Sequence, residues 1–137
     1  MVVPAGDRER LRELELWLIR LIVVHSTAVG ILLLFAPTWS ANFGGWGNVE
    51  PLFFMRQAGV FHFIVAIGYL LEYRQRGGVS FLVFTKSVAF VFLVSVTLFG
   101  ETAWAVPLSA VADGLMALVV TLVHREATGS FTAGSFS

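Results

Sequence analysis

The sequence predicts an all-α integral membrane protein, a four-helix transmembrane bundle with its N- and C-termini cytoplasmic. Two observations predict the fold and a third the orientation. Hydrophobic residues make up 57% of the 137 and charged residues only 13%, whereas a soluble domain of this size is about a quarter charged; the mean hydropathy is +0.82. The apolar residues gather in blocks at 16–36, 52–73, 80–100 and 104–124. Each block matches the roughly 20 residues that cross a ~30 Å hydrocarbon core at ~1.5 Å per residue. If the spans alternate, Arg8, Arg10, Arg12, Arg74, Arg76 and Arg125 flank one side and only Arg56 the other. The side richer in Lys and Arg faces the cytoplasm.

The chain divides into a juxtamembrane segment (1–15), the four spans (16–126 in all) and a Thr/Gly/Ser-rich tail (127–137). Asp7 suits the cap of a helix, and the mixed charges from Arg8 to Glu15 read as a solvated or headgroup-level extension of the first span. The N-terminus carries both signs of charge before a span longer than the core of a signal peptide, so the first span is expected to be retained. Trp17 suits the membrane interface, and Arg20 is near enough to the end to snorkel. The link 37–51 is rich in Gly, Asn and Pro and is expected to be irregular, with Trp39, Phe43 and Trp46 as a headgroup-level aromatic layer. Short links at 74–78 and 100–103 make the second and third spans, and the third and fourth, antiparallel neighbours. Pro107 falls in the first turn of the fourth span, where its missing N–H costs nothing. The tail has the composition of a flexible or partner-bound segment.

Every span carries an ionisable group near mid-depth. His25, His62 and Asp113 lie within about one residue of the centres of their spans, and Lys86 is four residues, about 6 Å, short of its centre. A charge at a helix centre costs about 2.5–3.5 kcal/mol, so Lys86 and Asp113, on adjacent spans, are expected to neutralise each other. The cluster His25, His62, Lys86 and Asp113 reads either as a polar knot that orients the helices or as a functional site such as a proton relay. Nearer the surfaces, Arg56 is expected to meet Glu101 or Glu50, and Glu72 to meet Arg20 or Arg76. Gly59, His62, Ala66, Tyr69 and Tyr73 share one face of the second span, and Ala110, Asp113, Ala117 and Thr121 one face of the fourth; both faces suit close helix contact.

Several chemistries are absent from the sequence. With no Cys, disulfides, thiolate metal sites and Cys nucleophiles are excluded. No Glu-x-x-His or His-Glu-x-x-His spacing points to a metal, and neither a phosphate loop nor a nucleophile elbow occurs. No basic tract invites nucleic acid. His25 and His62, on separate spans at similar depth, are the one pair that suits axial ligation of haem b, and a quinone is the other cofactor considered.

Arg56-x-x-Gly59 entering the second span, Gly68 late in it, Lys86 in the third and Asp113 in the fourth resemble the small four-helix bacterial membrane proteins of the DoxX-like type. The resemblance covers spans two to four and implies a four-helix fold in the bacterial inner (cytoplasmic) membrane. Some members of that group are associated with thiosulfate:quinone oxidation, but no catalytic residue carries over. Thirteen Phe residues and broad Leu/Val surfaces suit packing against membrane lipids or other subunits. The expected role is therefore an accessory or structural subunit of a larger membrane complex, respiratory or photosynthetic. The alternatives are a quinone- or lipid-linked oxidoreductase component that moves protons through the mid-depth His, Lys and Asp, and a small transporter.

Overall fold

The computed structural model describes residues 5–100 and 103–129, and the segments 1–4, 101–102 and 130–137 lie outside it. The described residues form five helices: α1 (Ala5–Phe35), α2 (Pro37–Gly44), α3 (Phe53–Arg76), α4 (Ser80–Leu98) and α5 (Ala105–Thr128). Four of them, all but α2, are long and apolar enough to cross a membrane. No strand occurs among the described residues.

The mixed-charge segment continues the first span without a break, so α1 has 31 residues. At ~1.5 Å per residue it is about 46 Å long and extends beyond a ~30 Å hydrocarbon core. Its buried positions Glu15, Ile19, Ile22, Ser26 and Gly30 recur at intervals of three and four, the spacing of a single helix face. In α5 the corresponding stripe runs through Val106, Ala110, Ala117, Val120, His124 and Ala127.

The link expected to be irregular contains a helix. Pro37 occupies the first turn of α2, and Gly45 ends it in the left-handed conformation (φ 94°), its N–H donating to the Ala41 and Asn42 carbonyls. Proline at the start and glycine just past the end are the residues a short helix needs. The helix sets Trp39 and Phe43 one turn apart, where their rings stack at 5.0 Å. Phe43 meets Trp104 edge to face, and Trp104 Nε1 donates to the Phe43 carbonyl at 2.7 Å. This ties the link to the start of α5.

The long helices form a ring in the order α3, α1, α5, α4, closed by a thinner α3–α4 contact. Four glycines set the spacing. An added Cβ on Gly59 would lie 2.8 Å from the Gly30 carbonyl oxygen, so α1 and α3 approach backbone to backbone, as small residues permit between membrane helices. Phe81 of α4 packs on Gly68 of α3, and Phe90 of α4 on Gly114 of α5. Larger side chains fill the half of the bundle that holds the start of α1 and the end of α5, where Ile19, Ile22, Tyr69, Val79, Leu82 and Val120 form one cluster.

Candidate functional site

The two inward faces expected from the sequence are packed as such. Gly59, Ala66 and Tyr69 of α3 are buried, as are Ala110 and Ala117 of α5. They bring the mid-depth residues of α3, α4 and α5 into one polar layer. Lys86 Nζ lies 2.5 Å from Asp113 Oδ1, with the side chains 6% and 14% exposed. Phe90, one turn beyond Lys86, packs at the level of Gly114, so the lysine stem climbs about one turn to reach Asp113. The charges of Lys86 and Asp113 act on both His25 and His62. Tyr69, buried beside them, interacts with the Thr85 hydroxyl. Two polar atoms at mid-bundle, Ser26 Oγ and His62 Nδ1, are buried without a hydrogen-bond partner. Buried polar atoms are normally paired, with ordered water among the usual partners.

The histidines do not form a porphyrin clamp. His62 sits against Gly30, whose added Cβ would be 3.2 Å from the His62 Cβ. His25 lies five residues earlier on α1, about 140° round the helix and roughly 7 Å away along it, on an exposed position. The two imidazoles are near enough for His25 to act on His62, but the Gly30–Gly59 contact leaves no porphyrin-wide gap between α1 and α3. The candidate haem ligation by His25 and His62 does not fit this geometry. Centring each span independently matches the two histidines in depth, whereas the Gly30–Gly59 contact sets the register.

The expected charge pairs near the surfaces have other outcomes. Among the described residues no ion pair joins Glu72 to Arg20 or Arg76, or Arg56 to Glu50; Glu101 lies outside the described residues. Glu72 instead accepts the Phe81 N–H, at 2.9 and 3.1 Å to its two carboxylate oxygens. Val79, at the cap position of α4, provides no side-chain cap, so the preceding helix supplies a carboxylate to an otherwise unpaired donor at the positive end of α4. Arg20 lies over the Trp17 ring, 5.6 Å from its centroid. Arg56 and Glu50 are exposed.

A second buried pair was not expected. His124 Nδ1 of α5 lies 2.5 Å from Glu15 Oε1 of α1. These side chains are only 2% and 3% exposed, so Glu15 is in the core and not solvated. Both residues continue buried stripes: Glu15 is one turn before Ile19, and His124 one turn after Val120. His124 Nε2 is buried without a partner. The imidazole also walls a recess of about 280 Å³ between the start of α4 and the end of α5, which Val79, Val83, Phe84 and Thr121 help to line. Among the described residues no group of three or more His, Asp or Glu is placed to hold a metal ion.

No family model, curated protein or solved structure matches this chain, so its functional reading rests on its own geometry.

Proposed function

We propose that this chain is an accessory subunit of a larger complex in the bacterial cytoplasmic membrane, respiratory or photosynthetic, with both termini cytoplasmic. The observation that carries this reading is the position of His25. It lies near the middle of an apolar helix, within reach of the Lys86 and Asp113 charges, yet this chain leaves it partly uncovered. Ionisable groups at membrane depth nearly always face protein or a water-filled cavity. A neighbouring subunit over this flank of α1 gives His25 such an environment. The aromatic and aliphatic side chains exposed on all four long helices suit contact with lipid and with further helices.

Mild detergent extraction from native membranes, followed by identification of co-migrating chains, tests the proposal. The expected result is a stable complex with other membrane proteins, weakened by His25→Glu without loss of the bundle fold. Recovery of this chain alone, or only as a homodimer, contradicts it.

A second reading is a proton-moving component of a quinone- or lipid-linked oxidoreductase, the reading to which the DoxX-like resemblance belongs. It is favoured by the unpartnered Ser26 Oγ and His62 Nδ1 in the region of the Lys86–Asp113 pair. It requires turnover of the complex to be abolished by His62→Ala or Asp113→Asn while assembly survives. Normal turnover in both variants excludes it.

A further inference from the structure

The register of α1 against α5 brings His25 to the edge of the mid-depth layer. From the contact of Glu15 with His124, eleven residues forward along α1 and eleven back along α5 lead to Ser26 and Asp113. The two helices run antiparallel, so these residues stand at one depth, ~16 Å from the Glu15–His124 contact. His25 precedes the buried Ser26 and is turned about 100° from it, out of the core. Gly30 and Leu34 meet Gly59 of α3 on one side of the α1 stripe, and His25 lies on the other side, bordering α5. Of the four ionisable residues in the layer, Lys86 is buried, His62 and Asp113 are partly buried and His25 is exposed. Its imidazole makes no hydrogen bond to another described residue.

The α5 side of this flank suits a further helix. The recess shared with α4 takes Val111, Gly114, Leu118 and Thr121 of α5. Ala105, Ser109 and Ala112 lie on the other side of the helix, towards α1, and none of them is buried. Small side chains spaced in this way let another membrane helix approach closely.

The surroundings of His25 select the group that completes it. A lipid tail or an apolar side chain leaves a polar imidazole nitrogen unpaired at membrane depth, which is costly. The Lys86 charge acts on His25 more strongly than the Asp113 charge, and the same order holds at His62. A Lys or Arg from a neighbour would add to that positive field. A hydroxyl or an amide pairs with the ring but does not offset the field. A carboxyl does both. With imidazole it forms a pair that is neutral whichever of the two holds the shared proton, and its negative end lies in the positive field.

We propose that the neighbouring subunit lays a transmembrane helix against the α1–α5 flank and sets an Asp or Glu side chain against His25. This assignment rests on the accessory reading and adds the chemistry of the neighbour.

The test uses the full-length chain in its native membrane, with a photoreactive side chain in place of His25 (His25→p-benzoyl-phenylalanine). The same substitution at the exposed Val24 or Ala28 keeps His25 and serves where the first variant does not assemble. Irradiation should join this flank to a neighbour's helix within one turn of an Asp or Glu. Replacing that acid by Leu should reduce recovery of the complex about tenfold, the weight of one hydrogen bond to an ionisable group. His25→Leu should do the same, and the two changes together should lose little more than either alone. Exchanging the groups, with His25→Glu in this chain and His in place of the neighbour's acid, should restore recovery. A cross-linked helix with no Asp or Glu within one turn overturns the carboxyl and leaves the accessory reading standing, as does undiminished recovery when the acid is lost. Capture of lipid alone by this flank in an intact complex also overturns it. Recovery of the unsubstituted chain by itself overturns the accessory reading as well.

Discussion

The bundle holds two buried polar pairs that differ in position and in what surrounds them. Lys86–Asp113 joins neighbouring helices α4 and α5 at mid-bundle, in a layer with His25, His62 and Ser26. Glu15–His124 joins the beginning of α1 to the end of α5, beside large apolar side chains and an open recess. The first sets an amine and a carboxyl against each other far from water, and each needs the other to be there at all. The second uses a carboxyl and an imidazole close to the end of the span. Depth governs the first pair, and helix face governs the second.

Breaking the mid-bundle pair should have the largest effect. Lys86→Met leaves a buried carboxylate unpaired and should destabilise the bundle by about 3 kcal/mol, read as a lower midpoint in denaturant titration of the reconstituted protein. Adding Asp113→Leu should recover most of the loss, because replacing a whole buried pair with apolar side chains is often neutral. If the double variant is as unstable as Lys86→Met, the pair is not the reason for the loss.

Glu15→Gln should cost less, about 1–2 kcal/mol, since the amide oxygen still accepts from Nδ1 but the charge is gone. Equal losses in Glu15→Gln and Lys86→Met would remove the difference between the pairs. Glu72→Gln should have the smallest effect, about 0.5–1 kcal/mol, because it weakens one cap at a partly exposed helix start. Hydrogen exchange should then speed up at Phe81 and its neighbours while the rest of α4 stays protected.

Much of the architecture was legible from block length alone, because a bilayer imposes its thickness on every span. The Lys86–Asp113 contact followed from depth and from the short link between α4 and α5. The Glu15–His124 contact did not, although the signal was present. Hydropathy placed the limits of the first and fourth spans at residues 16 and 124, so both residues read as edge positions. Extending the three-and-four spacing outward from Ile19 and Val120 puts both on the core stripes. Glu72 shows a different limit: listing opposite charges finds Arg20 and Arg76, but an uncapped backbone N–H competes for the same carboxylate. The helix at 37–44 was hidden by composition, although Pro37 and Gly45 stand where a helix begins and ends. Counting from each span's centre pairs His25 with His62 in depth, but Gly30 and Gly59 impose the register.

The claim that α1 and α5 are joined through a buried acid–imidazole contact is tested most directly by a double-mutant cycle on Glu15→Leu and His124→Leu in bilayers. The predicted result is a coupling of at least about 1 kcal/mol, with the double variant more stable than the sum of the single losses implies. Strictly additive losses would contradict it.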